Sequence, residues 1–378
     1  MAESTVKQSG SVNLDIRDWL CLSLVSGVGP RMLKQLLDHF GNPTSILNAA
    51  PSELRQVPGV GPKLSRAIST ARDDVDVQSE LELCSENDIR ILTSPDDDYP
   101  RMLREIDDPP PTLFVRGTVT AADALAISIV GSRHATRYGE AQSERFATSL
   151  ARAGLTIVSG LARGIDGAAH RAALKAGGRT IAVLGGGILR LYPPEHAALA
   201  DEIVQQGAII SEMPPRFAPT SSSFPQRNRI ISGLTLGTII VEASTRSGAL
   251  ITARHAMEQG REVFAVPGRI DSRSSRGCHA LIRDGAKLIE SAEDVLEELG
   301  PLIESAPQDD GTILRHPAEL QLNDTEQTVL QAIDTEPTLI DQIAQQSGIP
   351  VHRVLSTISV LEMRRLIVRT SGNQVARV

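Results

Sequence analysis

The sequence predicts an α/β protein in three parts: a doubly wound, mainly parallel sheet at the centre, a small helical domain before it and a winged helix after it. Two observations point to the sheet. Between about Leu83 and Leu299, short Val- and Ile-rich runs that are apolar on both faces alternate with amphipathic helical stretches, the pattern of parallel strands covered by helices on each side. Most of these runs also lead into turns rich in glycine or serine. A third observation sets off the flanks, where helical periodicity replaces such runs.

The first domain is expected over residues 1–78. Its helical pattern, from about Asp15 to Arg72, contains an internal echo: Val25-Ser-Gly-Val-Gly-Pro-Arg31 returns as Val57-Pro-Gly-Val-Gly-Pro-Lys63. Two copies indicate one paired-helix unit, with proline near the helix start, where a missing N–H costs little. Each segment resembles a helix-hairpin-helix turn of the SAM-like kind. That resemblance implies duplex-phosphate contacts from the amides of Gly27 and Gly29 beside Arg31, and of Gly59 and Gly61 beside Lys63. The plainer alternative is an interhelical turn that only packs, because turn chemistry alone asks for Gly and Pro.

The central domain is expected over residues 79–300, with strands at Ala126 to Val130, Leu155 to Val158, Thr180 to Leu184, Ala208 to Ile210, Thr238 to Val241 and Glu262 to Val266. A linker is expected over residues 301–320, opening on Gly300-Pro301 and continuing through the polar Ala306 to Gly311. The last unit, residues 321–378, has helical patterns at Glu326 to Ile333, Leu339 to Gln346 and Val351 to Arg365, then two strand-like runs around Ser371-Gly-Asn373. This order reads as a winged helix with Val351 to Arg365 as recognition helix. Arg353, Arg364 and Arg365 are its candidate duplex contacts, and protein docking is the alternative use of the same fold.

Bulk composition narrows the function. The 378 residues, 41% hydrophobic and 22% charged, are those of an ordinary soluble protein with ample core. No charged leader precedes an apolar run and no long uncharged apolar stretch occurs, so neither secretion nor membrane spanning is expected. Cys21, Cys84 and Cys278 are an odd, widely spaced set, which fits packing side chains in a reducing cytoplasm and neither zinc nor disulfides. With a net charge of −8, an anionic ligand has to be held by a local site.

That site is expected where the loops leave the strand C-termini, which share one edge of a parallel sheet. The edge receives Gly131-Ser-Arg133, Ser159-Gly-Leu-Ala-Arg-Gly-Ile-Asp166, Gly185-Gly-Gly187 and Glu242-Ala-Ser-Thr-Arg-Ser-Gly248. Glycine lets backbone amides approach phosphate, and guanidinium groups grip it with paired bonds. The candidate contacts here are Gly131, Ser132, Arg133, Ser159, Gly160, Arg163, Ser247 and Gly248. Between Pro214 and Gly237 stand Arg216, Arg227 and Arg229 and no acid at all. Within that segment Phe224, Arg227, Asn228 and Arg229 combine a ring for stacking unpaired bases with charge for the backbone. Asp166 reads as a helix cap, Phe224 has a core alternative, and Glu242, which ends a strand at the binding edge, is the most plausible carboxylate if the site is catalytic. A triphosphate-binding Gly-x-x-x-x-Gly-Lys-Ser/Thr loop and His/Cys metal spacing are both missing.

Taken in order, the motifs closely resemble the DNA-processing protein A (DprA, or Smf) family. They are Ile129-Val-Gly-Ser-Arg133, Ile157-Val-Ser-Gly-Leu-Ala-Arg-Gly-Ile-Asp166 with Ala169-His170, Thr180-Ile-Ala-Val-Leu-Gly-Gly-Gly187 with Tyr192-Pro193, Phe224-Pro-Gln-Arg-Asn-Arg-Ile-Ile231, Val241-Glu-Ala243 with Ser247-Gly-Ala-Leu-Ile-Thr-Ala253, and Phe264-Ala-Val-Pro-Gly268. The resemblance implies an extended Rossmann-like fold and sequence-independent binding of single-stranded DNA. It further implies a dimer, loading of the RecA recombinase in natural transformation, and no catalytic reaction or cofactor. Arg163 stands where many members carry Lys, and Ser221 to Ser223 replace a lysine that some members have before the phenylalanine. The competing expectation is a nucleoside-monophosphate phosphoribohydrolase that uses Glu242.

Overall fold

The computed structural model describes residues 9–300, 306–307, 313–314, 324–334, 336–363, 366–370 and 374–377. Its centre is a nine-stranded sheet made of β1 (Ile89–Thr93), β2 (Thr112–Gly117), β3 (Ala126–Val130), β4 (Thr156–Ser159), β5 (Thr180–Leu184), β6 (Ala208–Ser211), β7 (Gly237–Ile240), β8 (Glu262–Ala265) and β9 (Lys287–Leu288). The spatial order is β1-β2-β6-β5-β4-β3-β7-β8-β9. From β6 to β9 every neighbouring pair is parallel, and the chain order reverses at β3. The crevice of a doubly wound sheet therefore opens beyond the carboxyl ends of β3 and β7.

Strand residues divide by parity, as the two-residue period of a strand requires. Ile127 and Ile129 of β3 face a core formed with the helices Arg137–Arg152, Ile165–Lys175 and Ala292–Leu299. Ala126 and Val130 face the opposite core, shared with Ser223–Gly233, Ala249–Glu258 and Arg276–Arg283. The antiparallel pair formed by β1 and β2, with β2 running antiparallel to β6, extends the sheet beyond the expected strands. The sequence Ile-Arg-Ile-Leu-Thr of β1 is too short and mixed to stand out as an apolar run.

The N-terminal helices close a core of their own around Trp19, Leu22, Leu33, Leu36, Leu54 and Ile68. Gly27 and Gly59 adopt φ of +97° and +85°, conformations that favour glycine. A methyl group on Gly27 would press on Leu64, and one on Gly59 on Met32. Met32 and Leu64 hold equivalent repeat positions, so the two turns pack reciprocally. The last unit runs Asp324–Gln331, Thr338–Leu339, Ile340–Ser347, Val351–Met363, Ile367–Arg369 and Gln374–Arg377, and its short strands form one antiparallel sheet. This is the helix and strand order of a winged helix. Of the expected linker only Ala306–Pro307 and Ile313–Leu314 are described, and they pair antiparallel. The wing tip Ser371 to Asn373 lies outside the described residues, as do Arg364 and Arg365. Among the described residues no helix is long and apolar enough to cross a membrane.

Candidate nucleic-acid interface

A cleft of about 700 Å³ opens at the reversal point of the sheet. Its floor is the turn after β3, with Gly131, Ser132 and Arg133, and one wall is the turn after β7, with Ser244, Ser247 and Gly248. The other wall is one face of the helix Ser223–Gly233. Phe224, Arg227, Asn228 and Ile231 line the cleft, and their spacing of three, four and seven residues puts them on a single helical stripe.

Arg229 belongs to the opposite side, which corrects the expectation that it contacts DNA. Two positions after Arg227 the helix has turned by about 200°. Arg229 is only 6% exposed; its Nη2 donates to Glu212 at 2.7 Å, and Asp108 lies 3.5 Å from its Nε. Burial pushes the Glu212 carboxyl above its ordinary range, and the Arg229 guanidinium beside it opposes that shift. Arg229 is thus neutralised inside the fold.

Arg227 reaches the cleft but works mainly as a strut. Its guanidinium donates to the carbonyl of Gly160 at 2.8 Å and to that of Val183, joining the ends of β4 and β5. Burial lowers its pKa to about 10, against the favourable charge of Asp166. A Cβ at Gly160 would fall 2.5 Å from this guanidinium, so glycine there makes room for Arg227. The Gly160 amide is occupied as well, because it donates to Asp166 Oδ2 at 3.1 Å. Ser159 is buried and donates to the Ile129 carbonyl at 2.6 Å. Ser159 and Gly160 therefore shape the site from beneath, where they had been expected to touch a ligand.

Arg133 is the free cation of the floor. It is exposed, it forms no ion pair among the described residues, and its guanidinium carbon lies 4.8 Å from the centre of the Phe224 ring. Tyr192, which the sequence marked only as part of a motif, continues this row. Tyr192 is 41% exposed and lines the cleft, and its ring stands 5.6 Å from that of Phe224 at a tilt of 53°. The Arg163 guanidinium carbon lies over the Tyr192 ring, 5.7 Å from its centre. It also donates to the exposed carboxylate of Glu195, whose pKa that hydrogen bond lowers. Two adjoining aromatic rings thus stand between two arginines in one row: Arg133, Phe224, Tyr192, Arg163. Asn228 turns its amide toward the other wall and donates to the Gly248 carbonyl at 3.3 Å.

Glu242 does not point into the cleft. It is 3% exposed and accepts from the Thr136 amide at 2.9 Å, from the Thr136 hydroxyl at 2.5 Å and from Ser274 at 3.3 Å. These bonds occupy both oxygens of the carboxylate and hold the start of the helix Arg137–Arg152. His170 is fully buried, with Nδ1 2.7 Å from Thr180 Oγ1, and burial drives its pKa down to about 3. The three cysteines are buried and free. No cluster of His, Cys, Asp or Glu among the described residues could hold a metal ion.

The cleft, its floor and its helical wall all fall within residues 90–300, the stretch that matches the model of DNA recombination-mediator protein A. The chain belongs to this family, known as DprA or Smf. Residues 22–71 match a SAM-like helix-hairpin-helix tandem, and residues 315–373 match the DprA winged helix domain. Protein Smf of Escherichia coli is 37% identical over 364 residues, covering 96% of each chain. The DNA processing protein DprA of Streptococcus pneumoniae is 48% identical over 54% of this chain and 72% of its own. Its X-ray structure superposes with a TM-score of 0.67 over 75% of this chain and 97% of that one, at 37% identity. The Helicobacter pylori DprA, whose structure reveals a single-stranded DNA binding mode, matches at 30% identity with a TM-score of 0.51, over 57% of this chain and 97% of that chain. Gly29 and Gly61 open their helices with free space around them. Lys63 is exposed, and the 85%-exposed Arg31 side chain lies 3.5 Å from Asp108. Arg353 is exposed on the winged helix.

Proposed function

We propose that this chain holds single-stranded DNA in the cleft beyond β3 and β7, without sequence preference and without chemical turnover. The observation that carries the reading is the unpaired Arg133 guanidinium stacked on the Phe224 ring beside Tyr192 and Asn228. A ring face accepts any base, and a guanidinium beside it meets the phosphate that follows, so contacts of this kind ignore sequence. The family supports it, as does the single-stranded DNA bound by the Helicobacter pylori relative. In this reading Gly131, Ser132, Ser247 and Gly248 supply hydrogen bonds around the strand, and Arg163 joins once phosphate displaces Glu195.

The finer assignment follows the family. The chain divides into domains 1–78, 79–300 and 321–378 joined by 301–320, and it works as a cytoplasmic homodimer that protects incoming DNA and loads RecA during natural transformation. The paired turns at Gly29 and Gly61, with Arg31 and Lys63, and the winged helix through Arg353, Arg364 and Arg365, are its duplex contacts. Titrating the full chain with single-stranded and duplex oligonucleotides of equal length over a salt series tests the core of this. Tighter single-strand binding that weakens linearly in log salt is expected, and equal affinity for both forms would refute it.

A further inference from the structure

The cleft accounts for only part of the positive charge on the edge of the sheet. The turns after β7 and β8, residues 243–248 and 266–276, carry Arg246, Arg269, Arg273 and Arg276 against the single acid Asp271. Asp271 is paired with Arg269 at 2.9 Å. The side chains of Arg246, Arg273 and Arg276, all exposed residues, make no ion pair or hydrogen bond among the described residues. In a chain with a net charge of −8, three unpaired cations on adjoining turns repel one another with no internal compensation.

The two turns are one surface. The Ala243 amide donates to the Ser274 carbonyl at 2.8 Å, and the Gly277 amide donates to the Ala243 carbonyl at 2.7 Å. A Cβ on Gly277 would lie 2.9 Å from the carbonyl of Ser244, which itself lines the cleft. Arg273 therefore precedes, and Arg276 lies within, the segment Ser274 to Gly277 that is hydrogen-bonded to the cleft wall, and Arg246 belongs to that wall. Glu242, the acid nearest to Arg246 in sequence, is turned inward on Thr136.

We infer that Arg246, Arg273 and Arg276 form a second phosphate-binding stretch, which carries a single strand out of the cleft and across the ends of β7 and β8. The inference rests on the cleft being a single-strand site. It adds a direction, with bases held against Tyr192 and Phe224 and the following phosphates held by the arginine edge. Only strands long enough to leave the cleft engage it.

The test compares wild-type protein with the triple variant Arg246→Gln, Arg273→Gln, Arg276→Gln, on oligothymidylates of about four and about fifteen nucleotides, near the ends of the range of site sizes for single-strand folds. A charge-matched control replaces Arg152, Lys175 and Arg283 by Gln. These exposed residues end the helices Arg137–Arg152, Ile165–Lys175 and Arg276–Arg283, which run back to the opposite edge of the sheet. Three lost phosphate contacts lower the salt slope by about 2 for the long strand, at about 0.7 per phosphate, and weaken it roughly tenfold or more at moderate salt. The short strand stays within about twofold of wild type, the control keeps the wild-type slope, and Arg246→Gln alone removes about a third of the effect. An unchanged slope on the long strand, or an equal loss in the control, overturns the inference and leaves the cleft reading intact. Failure of wild-type protein to bind either strand overturns the cleft reading, and this inference with it.

Discussion

The Arg133 guanidinium lies over the Phe224 ring, 4.8 Å from its centre, although 91 positions separate the two residues in the sequence. One comes from the turn after β3 and the other from the second position of the helix Ser223–Gly233. A cation and a π face meet at the bottom of an open cleft, with no carboxylate paired to that cation among the described residues.

Replacing Arg133 by Ala is expected to weaken single-strand binding about tenfold, the loss of one charge-assisted contact of about 1.4 kcal/mol, and Arg133→Glu to weaken it further. Thermal melting should stay close to wild type, because the side chain is exposed. Fluorescence anisotropy and circular dichroism on the same samples check both halves.

For Phe224→Ala the expected loss is about 1–3 kcal/mol of binding, the worth of one base stacked on a ring. Since no phosphate contact is removed, the slope of log affinity against log salt should stay put. Tyr192→Ala should behave alike. A slope that fell in step with affinity would mean that these rings position cations and do not stack bases.

Arg229→Ala should act on stability. It strands Glu212 and Asp108, and removing one partner of a buried pair costs about 3–5 kcal/mol. Burial already raises the Glu212 pKa, and a folded-state pKa above the unfolded one means that stability is lost as pH rises through it. The deficit of the variant, measured by urea unfolding, should therefore shrink as pH falls toward the carboxylate range.

His170 provides the opposite sign. Its pKa is held down to about 3 by burial, against 6.5 unperturbed, so the unfolded chain takes up a proton that the folded chain refuses. Stability should fall as pH drops from about 6.5 toward 3. A variant such as His170→Gln should show a flatter decline in melting temperature over that window, whatever its stability at neutral pH.

Much of the fold was legible because strands buried on both faces leave runs that helices do not. Ala126 to Val130 and Thr180 to Leu184 were delimited to the residue. The pair β1 and β2 escaped because strands at the margin of the sheet have no such signature. At the site, loop composition located the edge, but it could not say which way each side chain turns. Arg227, Asn228 and Arg229 look equivalent in a string of letters. The helical period separates them, sending Arg227 and Asn228 to the cleft and Arg229 to Glu212. Gly160 and Ser159 read as ligand groups because Gly and Ser serve phosphate binding and tight packing equally well. Tyr192 was hidden because its ring joins Phe224 only through tertiary structure, and Glu242 because a buried cap and a catalytic base share the same side chain.

Photocrosslinking an oligothymidylate to the full-length protein, followed by mass spectrometry of the adducts, asks directly where the strand lies. Adducts on the peptides that carry Tyr192 and Phe224, lost in Arg133→Glu, are the expected result. Adducts confined to the N-terminal helices or the winged helix, with the cleft peptides unmodified, would contradict a single strand held at the reversal point of the sheet.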